Sequence, residues 1–496
     1  MDWPLLLLYL IGGALVAFWL LWRYKNRRMI QMANKLPGPP TLPLLGNALV
    51  FMNRPEEILN KIGELVETYG DVFRFWLGPE LNIVVKNPTD IRVLLSSTKV
   101  NQKGPVYDFM VPYIGSGIIT GGPTWRLHRK IAIPSYSKKT VENFFPVFNK
   151  ECEELAKVIC QKGPATFDCY KDVLRSTTQS VNQTLMGLSK KDSVNLTRLE
   201  EFIFKTHDMY NLVFDKMTKW WLHVSPIYWW LGKKKQQDYY SKMIDDLTED
   251  IVTRRRKALE VSQPSEECMG VVDRLILSGE LTHKEIKEET ITLFTSSQEV
   301  AAKIAAGVLM FLAHLPDWQD KVYKEIIEVV GADGPVTDEQ LKQLEQLDMV
   351  YKETLRYFPI GGMIQRTVME DISIRDGSIT LPAGTSLVIP IHNLHRDPRY
   401  WEDPNKVMPE RFLPENVKKR DPNAFVPFSL GPMDCLGRVY GTALIKTIVV
   451  WVLRYAKLEP AISLDNIRLN IAISVTSYDG YNIKASPRNG RINGLS

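Results

Sequence analysis

The stretch PFSLGPMDCLGRVYG, from Pro427 to Gly441, places one cysteine between two glycines and just before an apolar run. The cysteine is Cys435, and the glycines are Gly431 and Gly437. Glycine lets the backbone approach a flat ligand closely or adopt a positive φ. The apolar run predicts a helix, whose N-terminal amides and dipole favour the thiolate of Cys435 over the thiol. These features together favour a metal-binding cysteine over a purely structural thiol.

The other cysteines of the chain narrow the kind of metal site. The chain has five cysteines, an odd number, and no two of them stand in Cys-x-x-Cys spacing. This pattern argues against a disulfide framework or a zinc site, and it fits a reducing compartment. A single thiolate with no companion ligand suits a metal whose other positions are already filled, as in haem, and it favours O–O cleavage. A haem-thiolate site is therefore the first hypothesis.

The first residues predict a membrane anchor. The segment from Trp3 to Trp22 contains no charged residue, and as a helix it would span roughly 30 Å, the hydrocarbon thickness of a bilayer. Basic residues follow directly, which predicts that the rest of the chain lies on the cytoplasmic side. A cleaved signal peptide is the alternative, but a basic n-region and a small-residue cleavage site are lacking. We therefore predict a single-pass anchor over residues 1–22, a basic juxtamembrane linker over 23–36 and a catalytic body over 37–496.

The body is predicted to be one mainly α-helical domain with small β-sheets. Helical patterns dominate residues 55–360, whereas strand-like patterns are short and lie at 82–86, 371–374 and 385–391. Hydrophobic residues make up 45% of the chain, charged residues 24%, and the net charge is +5. These values are typical of a globular chain, and no nucleic-acid-binding motif is present, so we predict no nucleic-acid partner.

A second motif, KETLRYFP, places Glu353 and Arg356 three residues apart on one helix face. Such pairs are usually solvated and contribute little. Here apolar neighbours predict partial burial, where each charge needs its partner. Arg411, in the MPERF segment, is predicted to complete the cluster.

Together these motifs resemble the cytochrome P450 superfamily of haem-thiolate monooxygenases. FxxGxxxCxG follows ExxR and PERF in the family order, and LPGPP, WRLHR and HRDPRYWEDP are similar to further family segments. The segment GSGIITGGPTWRLHRKIAIPSY, residues 115–136, is similar to the family-4 branch, and the chain resembles an atypical, insect-like member of it. The resemblance covers nearly the whole chain from Pro37 and implies a cytochrome P450 fold preceded by a single N-terminal transmembrane helix.

The resemblance implies a cofactor, haem b, and roles for particular residues. Cys435 would be the axial iron ligand, and Glu353, Arg356 and Arg411 would support its loop. Trp125, Arg129 and Arg366 match positions that hold the haem propionates through charge-assisted hydrogen bonds. The full set of cofactor-binding residues implied is Cys435, Trp125, Arg129, Arg366, Phe428 and Gly437.

The long helix that should cross the haem departs from the family pattern. Family members carry an acid and then a threonine that relay protons during oxygen activation. In the favoured register of TSSQEVAAK, Gln298 replaces the acid and Glu299 the threonine; shifted by one, Glu299 becomes the acid and Val300 the threonine. Neither register gives an acid followed by a hydroxyl. The catalytic candidates are Glu299, Gln298 and Ser297.

Three explanations of this departure stay open. In the first, Ser296, Ser297 or Glu299 rebuilds the relay through water. In the second, the enzyme rearranges an already oxygenated lipid and needs no relay. In the third, the protein turns over poorly and mainly binds its ligand.

Two further departures from the family pattern concern the haem. Thr295 aligns with a glutamate that forms an ester to the haem in many family-4 members, so a non-covalent haem is predicted. Met433 replaces an arginine or histidine that contacts a propionate.

The substrate and partners are predicted by segment. Apolar residues before and after the motifs predict a lipophilic pocket formed by Tyr107, Phe109, Met110, Ile114, Phe294 and Ile364. Four tryptophans beside lysines in residues 219–235 are typical of a membrane interface. Basic residues in RLHRK, with Lys138 and Lys139, predict a face for an acidic electron donor. The resemblance implies NADPH–cytochrome P450 reductase as that donor, with cytochrome b5 as a second one.

The predicted function is that of a monooxygenase held in the endoplasmic reticulum membrane, with its catalytic domain on the cytoplasmic side. It would insert one oxygen atom from O2 into a fatty-chain, hydrocarbon or terpenoid substrate, by hydroxylation or epoxidation, with electrons from NADPH through a reductase. The alternatives are a haem-thiolate isomerase or dehydratase of oxygenated lipids and a poorly coupled haem-containing lipid-binding protein.

Overall fold

The computed structural model describes residues 3–52, 54–464 and 467–488. The α-helices are α1 Trp3–Lys25, α2 Arg27–Ala33, α3 Pro55–Tyr69, α4 Pro88–Ser96, α5 Val111–Ile114, α6 Trp125–Ala132, α7 Lys138–Glu142, α8 Phe145–Lys162, α9 Tyr170–Thr184, α10 Lys190–Val194, α11 Leu199–Thr218, α12 Ser225–Trp230, α13 Lys233–Val261, α14 Val271–Leu277, α15 His283–His314, α16 Pro316–Val329, α17 Asp338–Gln343, α18 Glu345–Tyr357, α19 Ile391–Leu394, α20 Pro414–Val417 and α21 Arg438–Tyr455.

The strands are short and form small sheets. Their bounds are β1 Val72–Leu77, β2 Glu80–Val85, β3 Phe167–Asp168, β4 Ile364–Thr367, β5 Ile372–Ile374, β6 Ile379–Leu381, β7 Ser386–Ile389, β8 Ala456–Pro460, β9 Leu469–Ile471, β10 Val475–Ser477 and β11 Asn482–Pro487. The largest sheet has the order β1-β2-β7-β4, in which β2 and β7 are parallel and the other pairs antiparallel. This architecture confirms the mainly α-helical fold with small β-sheets that the sequence predicts.

Helix α15 is the central element of the core. It begins at a capping box, in which the Thr282 side chain accepts from the Glu285 amide and the Glu285 side chain accepts from the Thr282 amide. It ends before Pro316, which begins α16 and cannot continue a helix. Most of its side chains are buried against α9, α18 and α21. A helix that is buried on several sides divides the interior, so its faces line different cavities.

The N-terminal helix α1 packs onto the body near its end. The rings of Trp22 and Trp76 meet edge to face with centroids 5.4 Å apart, and Arg28 forms an ion pair with Asp371. Of the predicted anchor, residues 1 and 2 lie outside the described residues. The predicted linker forms the end of α1, then α2 and a short segment after it, and Ala33 at the end of α2 and Leu36 beyond it are buried.

Among the described residues, no single helix is long and apolar enough to span a membrane. One pair of helices, α15 and α16, which are bent by 114° relative to each other, is so by length and composition only.

Candidate haem site

The loop that carries Cys435 has a backbone conformation that requires glycine. Gly431 has φ +77°, and a Cβ added there would overlap the carbonyl oxygen of Leu95 in α4. The Cys435 amide donates to the Phe428 carbonyl at 2.9 Å, which closes the loop over six intervening residues. Gly437 then precedes α21 with φ −83°. The loop is therefore held between α4 and the start of α21, with Cys435 directed into a cavity.

A fully buried charged cluster lies beside this loop. Arg356 and Glu353 form a bidentate pair, with Nε–Oε2 and Nη2–Oε1 distances of 2.7 Å. Arg356 also donates to the carbonyl groups of His395, Pro404 and Lys406. Both side chains have no exposed surface. Every charge in this pair thus has a partner, which is what burial demands.

Arg411 joins the same cluster from the segment before the loop. Its Nε lies 3.4 Å from Glu353 Oε1, and its guanidinium donates to the carbonyl groups of Glu402 and Asp403. The Met408 amide donates to Glu353 at 2.8 Å. The structure therefore brings together Glu353, Arg356 and Arg411, and they fix the irregular chain that leads to Cys435.

The cavity that Cys435 enters has a volume of about 340 Å³ and lies between the loop and α15. Helix α15 presents one face to it, with residues at helical spacing of three and four. That face consists of Leu293, Ser296, Ser297, Val300, Ala301 and Ile304. The opposite wall includes Phe428, Met433, Cys435, Leu436 and Gly437. Apart from the two serines, the α15 wall is apolar.

Three cations converge on the cavity, and they are Lys103, Arg129 and Arg366. Within the described part of the chain, Asp434 is the single carboxylate among the lining residues. Asp434 forms an ion pair with Arg129, with 2.6 Å between Arg129 Nη2 and Asp434 Oδ1. Lys103 and Arg366 form no ion pair with a carboxylate of the described residues, although Arg366 donates to the Gln365 carbonyl at 3.0 Å.

Lys103 is the site residue that sequence reasoning missed. Its backbone forms a bridge with that of Arg366, and directly opposed residues of such a pair send their side chains to the same face. Burial lowers the pKa of Lys103 well below its usual value, and the charges of Arg366 and Arg129 lower it further. A cavity wall that concentrates cations in this way is suited to an anionic ligand.

The other predicted contacts lie at or near this wall. Phe428 and Gly437 line the cavity, and Met433 is buried in its wall. Trp125 is buried at the first position of α6, one turn from Arg129, and is not among the lining residues. Burial raises the pKa of the Cys435 thiol, although the Gly437 amide favours the thiolate.

Of the three catalytic candidates, one lies on the face of α15 that meets the cavity, and two lie on other faces. Ser297 lines the cavity, and its hydroxyl lies 3.4 Å from the Tyr136 hydroxyl. Gln298 instead accepts a hydrogen bond from Thr178 at 2.7 Å, and Glu299 pairs with Lys303. Both line a different cavity behind α15. This placement corresponds to the shifted register, with Glu299 as the acid and Val300 in place of the threonine.

A model of the family described as Cytochrome P450 matches residues 36–474. The chain belongs to the cytochrome P450 family. The resemblance seen in the motifs is confirmed, and the protein is a cytochrome P450 monooxygenase, an oxidoreductase. The family's cofactor is a haem whose iron is held by a cysteine thiolate.

Curated relatives extend over nearly the whole P450 chain. It is 30% identical to Cytochrome P450 4d1 of Drosophila melanogaster, over 91% of this chain and 92% of the relative. It is 26% identical to Cytochrome P450 4c3 of the same organism, over 97% and 94%. Identity with the human Cytochrome P450 4V2 is 29%, over 90% and 88%. The printed names of all three carry the family-4 designation predicted from residues 115–136.

The residues around the P450 cavity fit the haem. Cys435 lines the cavity and would supply the thiolate ligand, and its loop passes so close to α4 that only glycine is accommodated at position 431. Lys103 and Arg366 offer positive charge that the described residues do not neutralise, which fits two carboxylates of a bound group. The apolar residues of α15 provide the surface that a flat macrocycle needs on its other side.

A second, apolar cavity of about 230 Å³ adjoins the P450 haem cavity. Tyr107 and Ile364 line both, and Met110 lines the second. Its other walls come from α3, the sheet strands β1 and β2, the end of α11 and the segment Ile471–Ile473. Three of the predicted pocket residues thus lie where a lipophilic ligand would reach the haem cavity.

The other three predicted pocket residues lie elsewhere. Phe294 is fully buried against Phe202, with ring centroids 5.8 Å apart, because it is one residue from the cavity face of α15. Phe109 packs against the His223 ring at 5.0 Å. The Ile114 carbonyl accepts from Thr292 at 3.3 Å, which holds this loop against α15. Neither cavity includes these residues among its described lining residues.

Proposed function

We propose that the protein is a membrane-bound monooxygenase that inserts one oxygen atom into a fatty-chain, hydrocarbon or terpenoid substrate. One atom of O2 enters a C–H bond or an alkene of the substrate, and the other leaves as water. NADPH supplies the two electrons through NADPH–cytochrome P450 reductase, with cytochrome b5 as a second donor. The observation that carries the proposal is the convergence of Cys435, three cations and an adjoining apolar cavity.

The residues of the chain have separate tasks in this proposal. Cys435 holds the iron of haem b, and Lys103, Arg129 and Arg366 hold its carboxylates. When bound, the haem supplies the activation of O2. Val300, Ala301 and Ile304 would exclude bulk water from the α15 side of the cavity, and Ser296 and Ser297 retain hydroxyls there that can hold a water and pass a proton. No residue of α15 that lines the cavity is a carboxylate, which supports a haem attached without an ester bond.

Exposed apolar side chains support the membrane anchor and the endoplasmic reticulum location. Along α1, Leu10, Phe18 and Leu21 are more than half exposed. Trp229 and Trp230, between α11 and α13, are exposed by 73% and 79%. Large apolar side chains in water are unfavourable, so both segments are suited to lipid. The end of α11 also lines the apolar cavity, which supports ligand entry from the bilayer.

A carbon monoxide spectrum of the reduced protein tests the haem-thiolate part of the proposal. Wild type should show the Soret band of a thiolate-ligated haem, and Cys435→Ser should lose it. A folded wild-type protein without that band would overturn the assignment. Oxygenated product from dodecanoic acid that requires both NADPH and reductase tests the monooxygenase part.

A second function is favoured by one observation: Val300, which has no hydroxyl, occupies the threonine position on the cavity face of α15. An isomerase or dehydratase of oxygenated lipids needs no proton delivery to O2. It would convert a fatty-acid hydroperoxide without NADPH, and it would not oxidise dodecanoic acid. A poorly coupled binding protein would instead consume NADPH and release hydrogen peroxide with little product.

The position of Val300 provides a sharper test of the relay. If Val300 stands at the alcohol position, Val300→Thr restores the hydroxyl and should raise the ratio of product to NADPH consumed, by about tenfold at most. The double change Gln298→Glu with Glu299→Thr follows the other register and should not raise it. The reverse result would assign the relay to the other register.

A further inference from the structure

The rear of α15, which faces away from the haem cavity, carries a buried ion pair that the proposed function does not use. Lys303 Nζ lies 2.6 Å from Glu299 Oε1, and the two side chains are only 8% and 9% exposed. They line a polar cavity of about 370 Å³ that is separate from the haem cavity. In the shifted register Glu299 is the acid of the relay, so its partner bears directly on function.

Lys303 also contacts residues other than Glu299. Its ammonium also donates to Ser474 Oγ at 2.7 Å, and it lies 5.7 Å from the ring centroid of Tyr210 on α11. Burial and the nearby Glu299 carboxylate raise the pKa of Tyr210 well above its usual value. Lys303 therefore connects α15, α11 and the turn between β9 and β10.

That turn separates two cavities. Ile471, Ala472 and Ile473 line the apolar cavity, whereas Thr476 and Ser477 line the polar one. Ser474 stands between the two groups. A ligand that presses on the apolar side of this turn therefore acts on the residue that holds Lys303.

The polar cavity is suited to water. Among the described residues that line this cavity, Ser477 has a buried hydroxyl with no hydrogen-bond partner. Buried polar atoms of this kind are normally satisfied by water where the cavity has room for it. Glu299 is thus adjacent to a space from which water can reach it, and Lys303 is its nearest charged neighbour.

We propose that Lys303 is a positioning residue that couples occupancy of the apolar cavity to Glu299. The inference rests on the proposed function, because it takes the apolar cavity as the ligand site. A ligand that shifts Ile473 moves Ser474, and the buried ammonium then keeps fewer of its partners. In the low dielectric of this site, the loss of one partner changes the strength of the bond between the Lys303 ammonium and Glu299. Val300 follows Glu299 in the helix, and Ile304 follows Lys303. Because Val300 and Ile304 line the haem cavity, the change reaches that cavity.

A double-mutant cycle on ligand affinity tests the coupling. The dissociation constant of dodecanoic acid is measured by calorimetry with the full-length haem protein, in Lys303→Met, Ser474→Ala and the double variant. Contacting residues in one network show non-additive effects. We expect the double variant to depart from the product of the single effects by about threefold or more. Ser474→Thr, which keeps the hydroxyl, should bind as wild type does.

A matched control separates coupling from the loss of any buried charge. Lys446 on α21 is also 8% exposed, but it pairs with Asp348 on α18 at 2.7 Å and not with a residue of the turn. The cycle of Lys446→Met with Ser474→Ala should be additive.

Hydrogen exchange of residues 469–477 gives a readout that needs no ligand. Lys303→Met should raise it about threefold or more, and Lys446→Met should not.

An additive Lys303–Ser474 cycle, or unchanged exchange of the turn in Lys303→Met, would overturn the proposal. A wild-type protein that does not bind dodecanoic acid would also overturn it, because the apolar cavity would not be the ligand site. Failure of the proposed function is read separately, from the carbon monoxide spectrum. A missing thiolate band together with a non-additive cycle would reject the monooxygenase and keep the coupling.

Discussion

Two groups of charged residues lie on either side of the Cys435 loop, and they differ in how their charges are balanced. In the Glu353 cluster, every cation has a carboxylate or carbonyl partner, and no side chain is more than 6% exposed. Around the haem cavity, Lys103 and Arg366 have no carboxylate partner among the described residues, and their charges disfavour each other. The balanced group stabilises the fold by itself, whereas the unbalanced group is complete only with an anionic ligand. Charge balance thus separates a supporting cluster from a binding site.

The largest effect should come from breaking the balanced cluster. Arg356→Met leaves Glu353 buried without its main cation, which costs about 3–5 kcal/mol of folding free energy. Denaturant unfolding of the haem-free protein measures this loss. Arg468→Met removes an exposed arginine paired with Asp479 and should cost less than about 1 kcal/mol. Equal losses in the two variants would contradict the view that the cluster is a structural support.

Two glycines of the Cys435 loop, Gly431 and Gly437, provide a matched test of the loop's backbone geometry. Gly431→Ala adds a Cβ against the Leu95 carbonyl at a positive φ, so the loop must move. It should destabilise the protein by about 1–3 kcal/mol and lower the haem content of the purified protein. At Gly437 the nearest atom to an added Cβ is Tyr136 Cε1 at 3.9 Å, an ordinary contact. Gly437→Ala should therefore leave the stability of the haem-free protein unchanged, and equal destabilisation by the two substitutions would contradict this reasoning.

In the unbalanced group around the haem cavity, removing a cation should not lower the stability of the haem-free protein. Lys103→Met removes a cation that Arg366 and Arg129 repel, so the haem-free protein should unfold at the same or a higher denaturant concentration. Haem should dissociate about tenfold faster, because a charge-assisted bond to a carboxylate is lost. Transfer of haem to an acceptor apoprotein measures the rate. A haem-free variant destabilised as strongly as Arg356→Met would place Lys103 in the supporting group instead.

The smallest expected effect concerns a third, mixed case, the buried pair of His128 on α6 and Glu289 on α15. Nδ1 lies 2.7 Å from Glu289 Oε1, and the Ile118 amide donates to the same oxygen at 2.9 Å. Burial alone would lower the pKa of His128, but the hydrogen bond and charge of Glu289, with Glu285, raise it overall. The stabilisation is then complete below about pH 6.5 and is lost as the pH rises through the raised pKa.

The measurement compares the free energy of unfolding of wild type and His128→Gln across pH. The advantage of wild type should shrink as the pH rises above about 6.5. His283→Gln removes an exposed histidine that pairs with Glu249 at 2.9 Å and should change stability little at any pH. A wild-type advantage that grows with pH would mean that His128 is not protonated in the folded protein.

The motif residues were predictable from sequence because fixed spacing on one helix, or a glycine-framed loop, determines their geometry locally. Glu353, Arg356 and Cys435 are of this kind. The faces of α15 were less predictable, since one residue of register rotates a helix by about 100°. That rotation separates Ser297 from Gln298 and Leu293 from Phe294. Lys103 had no motif at all; its role follows from a backbone bridge to Arg366, more than two hundred residues away in sequence.

Gly431 has a consequence for natural variation in this chain. Any missense change of a glycine codon introduces a side chain, and even the smallest one meets the Leu95 carbonyl. Every single-nucleotide missense change at this position is therefore expected to strain the loop, whereas a Cβ added at position 437, six residues on, meets no protein atom closer than 3.9 Å. An inherited substitution at codon 431 is expected to behave as a loss-of-function allele, without altering any residue that touches the substrate.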